Sequence, residues 1–285
     1  MPILRASGTC GEILEAFARP PIPMSRILTE MHCTPLVDES HWKRICEDHM
    51  HEAQLIQSSL LPVKPLREES VEISFRFVPF TEVSGDFADF FPLPNGRIGL
   101  YLGDVAGKGL PAAMYGALAM GTLRGIHKSG TETASVLTTL NQRLMQRPLR
   151  GRYCCTLYAV FDPATGELAF SNAGLPQPLL ISKAECQGLG EGGLPPGMFA
   201  GTNYDQHLVQ LAPGDSVLFA SDGLHEASNG NGIEFCAQHM AECWEQCRHK
   251  SADESLYFLF ESLQAFSSGN APNDDVTVLI LKVPG

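Results

Sequence analysis

Short runs in which apolar and polar residues alternate recur along most of the chain, and this period of two residues predicts β-strands. The clearest run ends at Asp104, where Ile98, Leu100 and Leu102 occupy alternate positions. Turn residues such as Pro94-Asn95-Gly96 separate neighbouring runs and favour hairpins. The predicted strands are residues 71–79, 87–93, 97–104, 153–162, 167–172, 178–182, 208–211, 216–221 and 276–283.

A period of about 3.6 residues replaces this alternation in the predicted helices. These are residues 38–60, 110–128, 133–147, 233–248 and 253–266. The helix at 110–128 is rich in small residues, which allow it to approach a sheet closely. We expect 208–211 and 216–221 to pair as a hairpin, as do 87–93 and 97–104. Hairpins interrupted by paired helices indicate an α+β fold in which helices cover antiparallel sheets.

The first 37 residues differ from the rest of the chain because they carry Pro20, Pro21, Pro23 and Pro35 among scattered apolar residues with no long period. We expect an irregular N-terminal arm at 1–37, followed by a helix that starts near Asp38 and stops before Pro62. Two interpretations of this helix stay open: it packs on its own domain, or it forms a homodimer through residues 38–60. We also predict that it influences the order of the functional site by packing on the helix at 110–128.

Composition limits the partners and the compartment. A net charge of −12 with no block of Lys or Arg argues against nucleic acid or an anionic membrane surface as a partner. No apolar run approaches the roughly 20 residues that span a bilayer, and the N-terminus lacks a basic segment followed by an apolar core. Nine cysteines without a C-x-x-C pair indicate reduced thiols. We therefore expect a cytoplasmic protein.

One group of thiols allows two interpretations. Cys236, His239, Cys243 and Cys247 would lie along one face of a helix, which could suggest a zinc or thiol site. The alternative is that the cysteines are small buried side chains on a stripe that faces the core. We favour packing.

Acidic residues stand at the tips of four predicted strands. They are Asp86 before residue 87, Asp104 at the end of its strand, Asp222 after residue 221, and Asp274 with Asp275 before the last strand. Each alone is also ordinary turn chemistry. Four together favour a site for a hard cation, and oxygen donors without histidine or cysteine suit Mg²⁺ or Mn²⁺ rather than Zn²⁺.

The sequence also carries a set of motifs in a definite order. They are VSGDFAD, LGDVAGKGLPAA, SNAG, SDGLHE and NDDVTVLILKV. Together they resemble the PPM-type metal-dependent serine/threonine phosphatases, in their bacterial SpoIIE-like or RsbU-like branch. The resemblance covers residues 63–285 and implies a phosphatase domain there, built as an α-β-β-α sandwich of two packed antiparallel sheets. It implies that residues 38–62 form a linker or regulatory helix.

The same resemblance implies roles for particular residues. Two divalent cations, Mn²⁺ or Mg²⁺, would be bridged by Asp104 and would activate a water molecule for attack on the phosphate. The other implied metal positions are the carbonyl of Val105, Asp222, Asp274, and Asp86 directly or through water, with Asp275 ranked after Asp274. Asp86 and Asp104 would be the catalytic pair. The implied substrate is a phosphoserine or phosphothreonine on an anti-sigma-factor antagonist.

Several positions depart from the family pattern. Ala106 stands where animal members carry a histidine, so that candidate general acid is missing. Arg76 and Arg97 are the candidates for a phosphate-binding arginine, although both could be ordinary strand residues. Lys108 is either a solvated loop residue or one that orients the substrate.

Two other functions compete with the phosphatase. The Gly107-Lys108-Gly109 sequence does not complete a P-loop, because Leu102 replaces the first glycine and Gly109 the Ser or Thr. A non-catalytic scaffold on the same fold, dimerising through the N-terminal helix, would be expected to lose its metal aspartates. The sequence retains these acids, which favours an enzyme.

Overall fold

A computed structural model describes residues 39–126, 132–183, 185–270 and 273–285. Its helices are α1 (Glu39–Leu60), α2 (Gly109–Ile126), α3 (Thr133–Met145), α4 (Asp222–Glu226), α5 (Ala237–Glu245) and α6 (Ala252–Phe266). Its strands are β1 (Leu66–Glu68), β2 (Val71–Val78), β3 (Phe87–Pro92), β4 (Ile98–Val105), β5 (Cys154–Asp162), β6 (Glu167–Ala173), β7 (Leu179–Ile181), β8 (Cys186–Gly188), β9 (His207–Gln210), β10 (Ser216–Ala220) and β11 (Val276–Lys282).

The strands form two antiparallel sheets. One has six strands in the order β1-β2-β11-β10-β7-β8, and the other has five in the order β3-β4-β5-β6-β9. Alternate residues of each strand point to opposite faces, so each sheet can bury both faces at once. This architecture confirms the predicted fold class.

Three apolar layers hold the sandwich together. Leu100, Phe161 and Leu279 are among the side chains buried between the two sheets. On the outer face of the five-stranded sheet, side chains of α2 and α3 pack on residues such as Tyr101. The outer face of the six-stranded sheet is covered by α5 and α6, with Trp244 fully buried. Helix, sheet, sheet and helix therefore follow in that order.

Most predicted elements are present, with ends that differ by a few residues. The predicted hairpin of 208–211 and 216–221 is wrong. Strand β9 pairs with β6 in the five-stranded sheet, whereas β10 pairs with β7 and β11 in the other. The turn between them therefore passes from one sheet to the other. Strands β1 and β8 and the short helix α4 were not predicted, because each spans only three to five residues.

The chain divides into two compact units, Met1–His49 and Met50–Gly285. Of the first unit, the described part is the beginning of α1, and the predicted arm at 1–37 and Asp38 lie outside the described residues. The second unit contains both sheets. None of the described helices is long and apolar enough to cross a membrane.

Candidate metal centre

Two loops from each sheet bring acidic residues to one edge of the sandwich. Asp86 precedes β3 and Asp104 lies near the end of β4, which is the antiparallel neighbour of β3. Asp222 begins α4 directly after β10, and Asp274 precedes β11, the neighbour of β10. The negative charge of Asp104 raises the pKa of Asp86. The charges of Asp222 and Asp274 in turn raise the pKa of Asp104. The four carboxyl groups therefore belong to one electrostatic cluster.

Asp86 and Asp104 form the buried half of this cluster. Asp86 is 2% exposed, and one of its oxygens accepts a hydrogen bond of 2.6 Å from the hydroxyl of Thr277. Burial and the charge of Asp104 raise the pKa of Asp86 well above its usual range. Burial and then Asp222 raise the pKa of Asp104 to about 7, although a hydrogen bond from Asp86 partly opposes this shift. Both carboxyl groups are therefore harder to ionise than an ordinary aspartate side chain.

Asp222 and Asp274 form the more open half. Burial and then the charge of Asp274 raise the pKa of Asp222. An oxygen of Asp274 lies 2.6 Å from the ammonium nitrogen of Lys108, which also donates a 2.8 Å hydrogen bond to the carbonyl of Asn273. Lys108 therefore faces the acidic edge directly, rather than extending away into solvent.

Asp275 plays a different part from its neighbour. Its two carboxylate oxygens accept hydrogen bonds from the backbone amides of Phe80 (2.7 Å) and Gly85 (3.1 Å). The side chain therefore ties the loop before β3 to the start of β11. The backbone carbonyl oxygen of Asp275 lies against Gly223, and a Cβ added at Gly223 would be 2.1 Å from this oxygen. These contacts fix the loops that carry Asp86, Asp222 and Asp274.

The end of β4 is packed just as closely. A Cβ added at Gly85 would lie 3.0 Å from the carbonyl oxygen of Val105, and one at Gly116 would lie 3.1 Å from the carbonyl oxygen of Gly85. The predicted close approach of α2 to the sheet holds at Ala112 and Gly116. It does not hold at Gly121 and Gly125, where no atom lies within 4 Å of an added Cβ.

The carboxylate oxygens of these aspartates suit a hard cation, but their side chains do not surround a common position at which one could bind. Across the four described stretches of chain, no three His, Cys, Asp or Glu side chains are close enough to hold an ion as they stand. Charges influence one another over longer distances than metal–oxygen bonds of about 2.0–2.6 Å. Cys155 faces Asp104 across the β4–β5 ladder, and burial and then that charge raise the pKa of its thiol to about 12. The candidate donors are therefore oxygen atoms, which fit Mg²⁺ or Mn²⁺.

Comparison with a family model settles the relationship of the chain. Residues 94–284 match the model for stage II sporulation protein E. The chain belongs to the SpoIIE family. This confirms the family predicted from the motifs.

Named relatives of this SpoIIE-family chain include phosphatases. It is 25% identical over 229 residues to the phosphoserine phosphatase RsbU of Bacillus subtilis, covering 80% of this chain and 68% of the relative. It is also 25% identical to the phosphoserine phosphatase RsbP of the same organism, but spans only 44% of that protein's length. The predicted enzyme class agrees with these names.

Solved structures share the fold. The SiaA-PP2C domain of Pseudomonas aeruginosa superposes with a TM-score of 0.75 at 21% identity, covering 86% of this chain and 99% of that domain. The catalytic domain of the serine/threonine phosphatase PstP, solved with two manganese ions, has a TM-score of 0.55 at 16% identity, covering 76% of this chain and 99% of that domain. These likenesses establish the PP2C-type fold.

The two arginines considered for phosphate binding lie elsewhere in this SpoIIE-family structure. The guanidinium of Arg76 stacks on the ring of Phe260, 4.3 Å from its centroid, and Arg97 precedes β4 at the opposite end of that strand from Asp104. Arg152 was missed by sequence analysis. Its guanidinium donates a hydrogen bond to the carbonyl of Ala106, two residues after Asp104. Because Arg152 is distant in sequence, only the β4–β5 pairing could have indicated this contact.

The cysteine group is spread between the core and the surface. Cys247 is buried in the core beneath α5 and α6, whereas Cys236 lies near the surface, 3.5 Å from Nδ1 of His239. No set of three such donors in the described residues could hold an ion.

Burial lowers the pKa of His225, and this favours its neutral form.

Proposed function

We propose that this chain is a metal-dependent phosphatase that hydrolyses phosphoserine or phosphothreonine on a regulatory protein. The observation that carries the proposal is the cluster of four carboxyl groups that both sheets bring to one edge, where Asp86, Asp104 and Asp222 each lie near another negative charge. Carboxylates that act on one another electrostatically in this way repel, and divalent cations relieve that repulsion. The manganese ions of the PstP structure support the same choice of metal.

The side chains suggest how two cations, Mn²⁺ or Mg²⁺, would be held. Asp104 would bridge them, with Asp86, Asp222, Asp274 and the carbonyl of Val105 as further ligands. Asp275 is the weaker candidate, because both its oxygens already accept backbone hydrogen bonds. When bound, such cations supply positive charge that polarises a phosphate and acidifies a water molecule.

The chain's own residues would orient these groups. The hydroxyl of Thr277 fixes one oxygen of Asp86, and the amide of Asp86 donates a 2.9 Å hydrogen bond to the hydroxyl of Ser84. Burial excludes water from Asp86 and so strengthens its interactions with charge. Because Ala106 offers no proton, a general acid from this loop plays no part in the proposal.

For the substrate, we propose a phosphorylated partner of the anti-sigma-factor antagonist type in the cytoplasm. Similarity to RsbU supports a phosphoserine substrate, and the identity of the partner rests on the family resemblance. The net charge of −12 is consistent with a protein substrate rather than nucleic acid.

A homodimer through residues 38–60 is also part of the proposal. Trp42, Leu55 and Ile56 are each more than half exposed on the described part of this helix. Apolar side chains of this size in water favour association with another apolar surface. Sedimentation equilibrium of the full chain beside Leu55→Glu would test this, since a wild-type monomer would exclude the dimer.

The enzyme proposal is tested by turnover of phosphorylated antagonist proteins from the same genome, with Mn²⁺ and after EDTA. We expect Mn²⁺-dependent release of phosphate from one of them and its loss in Asp104→Asn. A folded chain that binds Mn²⁺ yet releases no phosphate from any of them would favour a scaffold. Release that persists in EDTA would exclude the metal mechanism.

A further inference from the structure

Lys108 lies at the acidic edge in contacts that the proposed mechanism does not yet use. Its ammonium nitrogen lies 2.6 Å from an oxygen of Asp274, 2.8 Å from the carbonyl oxygen of Asn273, and 4.7 Å from the centre of the Phe80 ring. The side chain is 46% exposed, so one side of the ammonium group faces water. It is therefore a cation held by the protein at a carboxylate that we assign to metal binding.

Lys108 and a divalent cation cannot both occupy the near side of Asp274 without cost. A cation on that carboxylate would bring two positive charges to within a few ångströms of the ammonium group, and their repulsion at the partly buried edge is strong. The other oxygen of Asp274 already accepts a 2.8 Å hydrogen bond from the amide of Asp275. The carboxylate therefore has limited room to serve both partners.

The backbone around Lys108 suits a change of partner. It stands between Gly107 and Gly109, whose φ angles of 97° and 69° are readily adopted by glycine. Asn273 and Phe80 offer contacts that the ammonium group can keep after leaving Asp274. A lysine is a compact point charge on a flexible stem, which makes it an effective ligand for phosphate oxygens.

We propose that Lys108 is an exchangeable counter-ion: it neutralises Asp274 until a divalent cation displaces it, and it then binds the substrate phosphate. The inference rests on the proposed function, because it needs both the cation and the phosphate. It gives Lys108 two measurable effects of opposite sign. The residue weakens cation binding at Asp274 and strengthens substrate binding.

Lys108→Met removes the charge while keeping the length of the side chain. By isothermal titration calorimetry we expect Mn²⁺ to bind about three-fold more tightly to this variant, since a partly exposed ion pair contributes modestly. We expect its KM for the phosphoprotein to rise about ten-fold, with a smaller change in kcat. The matched control is Lys250→Met, because Lys250 also lies over an aromatic ring, Phe258, but on the loop between α5 and α6. Neither quantity should change in that control.

Two further measurements isolate the contact with Asp274. In an Asp274→Asn background, Lys108→Met should no longer raise Mn²⁺ affinity, because the competition has been removed. The side-chain ammonium signal of ¹⁵N-labelled Lys108 should shift when Mg²⁺ is added, whereas that of Lys250 should not.

The outcomes separate this inference from the proposed function. If the wild-type chain binds no Mn²⁺, the proposed function fails and Lys108 has no cation to exchange with. If the wild type binds Mn²⁺ and Lys108→Met binds it equally or more weakly, the exchange is disproved while the metal site stands. An unchanged KM in Lys108→Met would disprove the phosphate contact.

Discussion

Asp86 and Asp89 lie three residues apart at the start of β3, yet their surroundings have opposite electrostatic character. Asp89 accepts hydrogen bonds from two nitrogens of Arg124, at 2.8 and 3.1 Å, and one of 3.2 Å from the hydroxyl of Tyr101. Asp86 is buried beside Asp104, and its pKa is raised. The chain therefore neutralises one carboxylate with its own cation and leaves the other to neighbours of like charge.

This difference separates a structural acid from one that we propose to be functional. The ion pair of Asp89 joins β3 to α2, and Arg124 also donates a 2.6 Å hydrogen bond to the carbonyl of Leu60 at the end of α1. Such a pair is satisfied within the fold. A buried cluster of carboxylates is costly to the folded state, and groups with pKa values perturbed in this way concentrate at functional sites.

The largest expected effect is on catalysis. Asp104→Asn should lower kcat by about a thousand-fold, because it removes the proposed bridging ligand. Asp89→Asn, in the same hairpin, should retain most of the activity but lower the free energy of unfolding by about 2 kcal/mol, since Arg124 loses its partner. Phosphate release and urea denaturation of both variants would measure this. Equal losses of activity in two folded variants would remove the distinction between the acids.

A second prediction extends the comparison to the backbone. Gly223→Ala would place a Cβ 2.1 Å from the carbonyl oxygen of Asp275, so the loop beside Asp222 must shift. We expect a loss of about 3 kcal/mol in the free energy of unfolding, together with weaker Mn²⁺ binding. Gly121→Ala on α2 meets no atom within 4 Å and should stabilise the chain by about 1 kcal/mol. Denaturant titration of both would test this, and a neutral Gly223→Ala would show that the edge tolerates movement.

The sequence predicted the α+β architecture of antiparallel sheets covered by helices and the loops that carry the acids, because strand period and turn residues are local signals. Only the family resemblance singled out Asp86 and ranked Asp274 before Asp275; local patterns could not, because the partners of these side chains come from distant segments. Arg124 lies 35 residues from Asp89, and the amides that bind Asp275 lie 190 or more residues away. The hairpin at 208–221 was wrong for the same reason. A turn such as Pro213-Gly214 reverses the chain, but the sheet that each strand joins depends on long-range pairing.

The third prediction concerns pH. The pKa of Asp104 rises from the ordinary value of 3.8 to about 7, so the folded chain holds a proton that the unfolded chain has lost between these values. The contribution of this group to the stability of EDTA-treated protein should therefore be complete near pH 4 and fall by about 2 kcal/mol towards pH 7, after allowance for partial exposure of the cluster. Asp104→Asn should weaken this dependence, because it removes one of the groups whose pKa is raised. Urea denaturation at each pH measures it, and an Asp104→Asn variant with the same pH dependence as wild type in EDTA would contradict the raised pKa of Asp104.

The smallest expected effect concerns the support that α1 gives to the acidic edge. Gln57 donates a 2.7 Å hydrogen bond to the carbonyl of Ser84 and accepts one of 3.0 Å from its amide, two residues before Asp86. Gln57→Leu keeps the size of the side chain but removes both bonds, and should weaken Mn²⁺ binding by about ten-fold, as loss of outer contacts to a metal site commonly does. Ser59→Ala is the matched control, because the Ser59 hydroxyl bonds the carbonyl of Ile56 within the same helix. Equal Mn²⁺ affinities for Gln57→Leu, Ser59→Ala and wild type by calorimetry would contradict this support. In that case α1 would not influence the metal site, and Thr277 and Ser84 alone would position Asp86.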